Sequence, residues 1–186
     1  MKYSKYISLQ KEKTCDPNRR HKWLTKEWDL KLNGFKRIFN EKFAYLGADC
    51  LCTGARTGQE VQALKDIGKN AIGIDIVACD PLVEEGDFHS LRFDDNSFDF
   101  VFSNVVDHAL YPDKFFSEAI RVTRKGGHLL FHLQVNKPND KYGVHDINDL
   151  NKDVLQYTQG TEVVAYDDIY HKEFCTFNKE ILLKKI

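Results

Sequence analysis

The residues best suited to chemistry follow a short apolar run. In residues 49–60, reading DCLCTGARTGQE, Gly54 and Gly58 flank a loop that leads into a helical pattern. Glycine lets backbone N–H groups approach a ligand, and the first turn of a helix offers unpaired donors. Asp75 ends a second apolar run about twenty residues after the loop, where nucleotide-binding folds place an acid for the ribose hydroxyls. This spacing predicts a nucleoside site, and the alternative is an ordinary acid at a strand end.

The loop does not match the known phosphate-binding patterns. GARTGQ differs from the dinucleotide fingerprint G-x-G-x-x-G, and Gln59 and Glu60 follow the second glycine where a phosphate loop has Lys and Ser or Thr. A carboxylate at Glu60, in the first helical turn, would also repel a pyrophosphate. The nucleoside ligand is therefore not predicted to be a dinucleotide.

A second group of candidates, Asn104, Asp107 and His108, lies in NVVDHALYP, just after another apolar run. Histidine has an unperturbed pKa of about 6.5, so His108 is a candidate general base, with Asp107 orienting it or acting itself. The alternative is a histidine packed between a helix and the sheet. Asp107 and His108 are adjacent rather than one helical turn apart, so we predict no metal site.

Alternating strand and helix patterns position these residues. Strands are predicted at 48–53, 71–76, 98–102 and 128–133, with helices after Gly58 and from Pro112, and two closing strands at 161–165 and 175–183. This β–α alternation is typical of a doubly wound α/β sheet, whose ligands lie beyond the carboxyl ends of the strands.

The chain divides into an N-terminal arm, residues 1–24, and one domain, residues 25–186. The arm is polar and without sustained period, so it is either mobile or laid over the site. Residues 25–46 are predicted to be one amphipathic helix, or two broken near Asn33 and Gly34, with an aromatic stripe that ends at Phe43. Residues 47–133 form the predicted cofactor-binding core, and residues 134–186 the acceptor-side connection and closing strands.

Four segments in order carry a resemblance: GARTGQE, GIDI, GDFHSLRFDDNSFDFVFSN and DHALYPDKFFSEAIRVTRKGGHLL. Together they resemble the class I S-adenosylmethionine-dependent methyltransferases, particularly the small type 11 methyltransferase-domain group. The resemblance implies a Rossmann-like α/β sheet of about seven strands, mostly parallel with a C-terminal antiparallel hairpin and helices on both faces. It also implies S-adenosylmethionine as cofactor, S-adenosylhomocysteine as product, and a cofactor site made of Gly54, Ala55, Arg56, Gly58, Asp75, Ile76, Asp87, Phe88 and Asn104.

The resemblance assigns roles within that site. The glycine loop lies under the methionine part of the cofactor, Asp75 binds the ribose, Asp87 holds the adenine amino group, and Phe88 contacts the adenine. Arg56 stands where the family's G-x-G-x-G loop has its middle glycine. Either the loop is wider here, or the Arg56 guanidinium pairs with the cofactor's carboxylate, a contact suited to a bidentate fork. A guanidinium that faces solvent is a further alternative.

Composition excludes several classes of protein. The chain has 186 residues, 42% hydrophobic and 30% charged. It contains no apolar run long enough to cross a bilayer and no secretory signal pattern, so we expect a cytoplasmic protein without a membrane span. A net charge of −1 gives no sign of a nucleic-acid surface. Five cysteines without a CxxC pair are expected to be reduced thiols.

Three functions remain open. An open pocket with little covering structure favours O-methylation of a small hydroxylated acceptor, such as a sugar or a glycan end. Methylation of RNA or protein is an alternative, supported only by the cluster of Arg19, Arg20, Lys22 and Trp23. The third is a catalytically silent module that binds the cofactor. The sequence predicts neither the acceptor's identity nor the oligomeric state.

Overall fold

A seven-stranded sheet forms the centre of the computed structural model, which describes residues 1–169 and 177–186. The strands are β1 Asp49–Thr53, β2 Asn70–Asp75, β3 Val83–Glu85, β4 Phe98–Ser103, β5 Thr123–Leu133, β6 Thr161–Asp168 and β7 Lys179–Lys185. Their order is β3-β2-β1-β4-β5-β7-β6, parallel from β3 to β5, with β7 antiparallel to both β5 and β6. The predicted sheet and its C-terminal antiparallel hairpin are confirmed.

Helices cover both faces of this sheet. They are α1 Tyr3–Cys15, α2 Pro17–Leu24, α3 Trp28–Glu41, α4 Gln59–Asp66, α5 Pro112–Val122 and the short α6 Leu150–Asp153. Side chains alternate along β1, so Cys50 and Cys52 pack with α3 and α4, whereas Leu51 packs on the opposite face with α5. Residues on both faces of a central strand are therefore buried.

Of the two alternatives for the N-terminal helical segment, the structure has the single helix. Helix α3 runs through Asn33 and Gly34 without interruption, and Gly34 is buried together with Phe35 and Phe39. Burial of this aromatic face outweighs the roughly 1 kcal/mol that glycine costs a helix. Phe43, expected at the end of the stripe, instead lies in a 3₁₀ turn and is 50% exposed.

The N-terminal arm is helical rather than irregular. Asp16 caps α2 by accepting a hydrogen bond from the Arg19 backbone N–H at 2.8 Å, and Pro17 occupies the first turn, where its missing N–H costs nothing. Helix α1 buries Tyr6 and Gln10, and the Gln10 amide donates to the Tyr142 carbonyl at 2.7 Å. The arm thus packs over the carboxyl ends of the strands.

Several element boundaries differ from the predictions. Strand β5 begins at Thr123, five residues before the predicted start, and passes through Gly126 with φ +80°. Strand β6 continues to Asp168, and the predicted start of the last strand at residue 175 lies outside the described residues. The cysteines at 15, 50, 52 and 79 are free, and no described helix is both long and apolar enough to cross a membrane.

Candidate functional site

The glycine loop after β1 requires glycine at both ends. Gly54 has φ +70° and Gly58 has φ +86°, a region that other residues rarely adopt. A Cβ added at Gly54 would fall 2.3 Å from Val105, and one at Gly58 would fall 2.7 Å from Leu82. Gly58 also occupies the N-cap position of α4. The loop backbone is therefore closely fitted between the segments that follow β2 and β4.

Asp75, at the end of β2, holds this loop in place. Its carboxylate accepts from the backbone N–H of Arg56 at 3.0 Å and of Val77 at 3.2 Å. The residue is 8% exposed, and burial raises the pKa of its carboxyl although both N–H groups favour the charged form. A buried acid thus lies beside the loop, where the ribose of a nucleoside is expected.

The Arg56 side chain is half-buried against the N-terminal helices rather than facing solvent. Its backbone adopts φ +50°, and its half-buried guanidinium lies over the Trp23 ring, 4.4 Å from the ring centroid. The Trp23 carbonyl accepts from the Gln59 side-chain amide at 2.9 Å, which ties the end of α2 to the start of α4. Arg56 is therefore held between the loop and the N-terminal helices.

A cavity of about 40 Å³, here called the loop cavity, lies over these residues. Its lining combines Gly54, Arg56, Asp75, Ile76, Phe88, Val105 and His108 with Tyr6, Gln10, Lys13 and Thr14 of α1. Five residues of the predicted cofactor site thus meet in one place. Ala55 and Asn104 instead line a neighbouring cavity of about 20 Å³.

Asp87, the predicted adenine ligand, contacts α1 instead of the loop cavity. Its carboxylate accepts from the Tyr3 hydroxyl and from the His89 backbone N–H at 2.9 Å. Burial alone would raise the pKa of Asp87, but the hydrogen bonds from His89 and Tyr3 lower it overall. The Tyr3 ring also stacks on Tyr111, with centroids 5.6 Å apart. The carboxylate that was predicted to bind adenine is therefore hydrogen-bonded to helix α1.

His108 lies in a 3₁₀ turn, Val106–His108, after β4. Its Nδ1 is 3.0 Å from the Tyr142 carbonyl, which can only accept, so Nδ1 carries the proton and Nε2 keeps its lone pair. Lys13 Nζ lies 3.1 Å from Nε2, and Asp107 Oδ2 lies 3.5 Å from it. Burial lowers the pKa of His108, so the neutral imidazole is the form present at neutral pH.

A larger cavity of about 420 Å³, here called the arginine cavity, adjoins His108. Its lining residues are Lys13, Arg19, Trp23, Lys31, Arg56, Asn104, Asp107, His108, Gln134, Pro138, Asn139, Asp140 and Phe177. The volume is within the range that holds small ligands. Lys13, Arg56 and His108 line both cavities, so these three side chains stand where the two meet.

The sequence did not reveal the part that α1 plays in this site. Tyr3, Tyr6, Gln10 and Lys13 recur at intervals of three or four residues, which places them on one helical face. Because this face is largely polar, it shows no hydrophobic stripe. Tyr142, whose carbonyl orients His108, lies in an irregular stretch with no local pattern.

The basic cluster at 19–23 does not form one surface. Arg19 and Trp23 line the arginine cavity, whereas the Arg20 guanidinium donates to the Ala78 carbonyl at 3.1 Å. Lys22 is exposed and pairs with a glutamate of the following turn at 2.6 Å. Within residues 1–169 and 177–186, no group of three or more His, Cys, Asp or Glu side chains is placed to hold a metal ion.

Comparison with known proteins identifies the central segment. The family model described as "Methyltransferase domain" matches residues 51–131. The chain is similar to the 1,6-didemethyltoxoflavin-N1-methyltransferase of Burkholderia thailandensis, solved with its acceptor and S-adenosylhomocysteine, at 9% identity and TM-score 0.78, covering 100% of this chain and 91% of that one. No curated protein matches the sequence significantly.

Two further solved structures share the fold. An S-adenosylmethionine-dependent methyltransferase of Methanosarcina mazei has 15% identity and TM-score 0.64, with 78% of this chain and 97% of that one covered. A complex of the Haloferax volcanii Trm112 methyltransferase activator with a methyltransferase has 16% identity and TM-score 0.65, with 97% and 96% covered. At these identities the similarity establishes the fold alone, and the acceptors of those proteins are not assigned to this chain.

Proposed function

We propose that this chain methylates a hydroxyl oxygen of a small acceptor such as a sugar. Through residues 51–131 it belongs to the class I S-adenosylmethionine-dependent methyltransferases of the type 11 group. The observation that carries the proposal is the meeting of the two cavities at His108. A base at this junction can reach a proton on an acceptor in one cavity while the methyl donor occupies the other.

The residues around the loop cavity suit the cofactor. The Asp75 carboxylate can accept from ribose hydroxyls, Ile76 and Phe88 can offer apolar surface to the adenine, and Arg56 can pair with the methionine carboxylate. Gly54 has no side chain, and a Cβ there would clash with Val105. The loop therefore presents only its backbone on this side. When bound, S-adenosylmethionine supplies a methyl carbon activated by its sulfonium, and the C–S bonding pair stays with sulfur.

The space, however, is limited by α1. A cavity of about 40 Å³ holds only a few water molecules. Tyr6, which is 1% exposed, and Gln10 fill the remainder of the region over the loop. We therefore propose that α1 withdraws from the strand ends when the cofactor enters.

His108 acts in this proposal as the base for the acceptor hydroxyl. The hydroxyl oxygen forms the new bond to the methyl carbon, and its proton passes to Nε2, the ring nitrogen that carries the lone pair. The acceptor hydroxyl has to replace the Lys13 ammonium at this nitrogen. The Asp107 carboxylate then stabilises the imidazolium, because an opposite charge at 3.5 Å favours the protonated form.

Helices α1 and α2, which cover part of the arginine cavity, affect which acceptors it can hold. The sequence predicted an open pocket, but Lys13 of α1 and Arg19 and Trp23 of α2 contribute to the lining of the arginine cavity. Because these helices cover part of the cavity, it suits a small molecule better than the end of a long glycan. A ring nitrogen is a second candidate nucleophile, because the Burkholderia N1-methyltransferase shares the fold over the whole of this chain.

Substitution of the proposed base tests this function. His108→Ala should lower turnover about a hundredfold or more, measured as S-adenosylhomocysteine release with a panel of sugars and small phenols, while cofactor affinity stays unchanged. Because the pKa of His108 is lowered from 6.5, wild-type activity should persist at pH 6.5 and fall as pH drops further and the imidazole protonates.

Exposed His21 provides the matched control, and His21→Ala should behave as wild type. Normal turnover in the His108 variant would show that His108 only packs between the turn and Tyr142. Cofactor binding without turnover on any acceptor would favour the silent module instead.

A further inference from the structure

More cationic than anionic side chains line the arginine cavity. Among its lining side chains are four cations and two carboxylates: Lys13, Arg19, Lys31, Arg56, Asp107 and Asp140. Two of the cations are paired with acids, Lys13 with Asp140 at 3.0 Å and Lys31 with a glutamate at 3.7 Å. The positive charge that remains belongs to the two arginines.

Arg19 and Arg56 are held by aromatic rings instead of acids. The Arg19 guanidinium lies 5.0 Å from the Tyr142 ring centroid, and that of Arg56 lies 4.4 Å from the centroid of Trp23. In the part of the chain that the structure describes, neither guanidinium has a carboxylate within 4.0 Å. A cation–π contact fixes the guanidinium while leaving its N–H donors available to a ligand.

The two arginines differ in position. Arg56 lines both cavities and can serve the methionine carboxylate, whereas Arg19 lines only the arginine cavity. Tyr142 connects Arg19 to the proposed base, because its ring supports the guanidinium and its carbonyl accepts from His108. Arg19 is therefore fixed on the acceptor side of the junction, at the residue that orients His108.

We propose that the acceptor is an anion, with a carboxylate or phosphate group bound by the Arg19 guanidinium while its nucleophile faces His108. This proposal rests on the proposed function and names the class of its acceptor. The planar fork of arginine matches the paired oxygens of either anion, and the half-buried position of Arg19 makes the interaction stronger than it would be in bulk water. Asp107 carries negative charge at the His108 end, which directs the anionic group of the acceptor away from the base.

Paired probes test the proposal by calorimetry on protein saturated with S-adenosylhomocysteine. One pair is 3-hydroxybenzoate and 3-hydroxybenzamide, and the other is glucose 6-phosphate and glucose. We expect the charged member of at least one pair to bind about tenfold or more tightly than its neutral partner, the size of a charge-assisted hydrogen bond. The pair that shows the preference distinguishes carboxylate from phosphate.

Arg19→Gln should abolish this preference, and Arg19→Lys should restore part of it, because lysine keeps the charge and loses the fork. The control is Lys22→Gln, which removes a positive charge from the same helix but outside the cavity and should keep the preference. Equal binding of charged and neutral probes in both pairs, no binding of either charged probe, or an unchanged preference in Arg19→Gln would overturn the proposal.

The readout separates this proposal from the proposed function. Binding of S-adenosylhomocysteine is measured first, and its absence would contradict the cofactor site without bearing on Arg19. The anion titration is then made on the unliganded protein, where the same dependence on Arg19 is expected. Absence of turnover on every acceptor of the panel would contradict catalysis, and probe binding that depends on Arg19 would still support the anion site.

Discussion

Glu60 is a buried carboxyl that the proposed chemistry does not use. It is the second residue of α4, 4% exposed, and burial raises its pKa from 4.5 to about 7, although Arg56 and Lys31 favour the charged form. The folded state therefore holds a proton that the unfolded state releases between these two pKa values. Stability must fall as pH rises through this window, because the unfolded state binds fewer protons there.

Replacing Glu60 with its neutral isostere should relieve this cost. Glu60→Gln is expected to be more stable than wild type by about 1–3 kcal/mol at pH 8, with the difference vanishing near pH 4. Denaturant unfolding at the two pH values measures it. Glu162→Gln, which breaks only a surface ion pair with Lys184, should show no such pH dependence. A destabilised Glu60 variant at pH 8 would mean that the charged carboxylate is needed in the fold.

Residues of the site could be predicted from the sequence where their position depends on the local backbone. The glycines at 54 and 58 are required by backbone conformation, and Asp75 was found from its spacing to them. The surroundings of Arg56 and Glu60 could not be predicted, because they depend on Trp23 and on α3, which are distant in the chain.

At the scale of elements, α1 is the main difference between expectation and structure. Its buried face is made of Tyr6, Gln10, Lys13 and Thr14, so hydrophobic periodicity gave no signal. Its partners are polar groups at the carboxyl ends of strands, such as Asp87. A ligand that makes the same hydrogen bonds to the site residues can therefore displace this helix.

Weakening this contact should therefore help the cofactor to enter. Tyr3→Phe removes the hydroxyl that donates to Asp87 and keeps the ring on Tyr111. We expect S-adenosylhomocysteine to bind about tenfold more tightly, the order of a hydrogen bond to a charged group, and amide exchange in α1 to quicken without ligand. Exposed Tyr166 gives the control, Tyr166→Phe. Weaker binding in Tyr3→Phe would mean that the hydroxyl belongs to the bound state.

At the scale of the molecule, the sheet was predictable and the cavities were not. The strands around β1 carry apolar runs buried on both faces, which is what a parallel sheet covered by helices requires. The arginine cavity is assembled from α1, α2, α3, the glycine loop, the segment after β4, residues 134–140 and Phe177, so its size and charge arise only on folding. The open pocket expected from sequence is replaced by a cavity with helical walls.

Calorimetric titration with S-adenosylhomocysteine tests whether the cofactor occupies the loop cavity with its ribose on Asp75. We expect saturable binding to wild type and a loss of affinity of about tenfold or more in Asp75→Asn. Asp113→Asn, at an exposed position in the first turn of α5, should bind as wild type. Unchanged affinity in Asp75→Asn, or no binding to wild type at millimolar ligand, would contradict this placement of the cofactor.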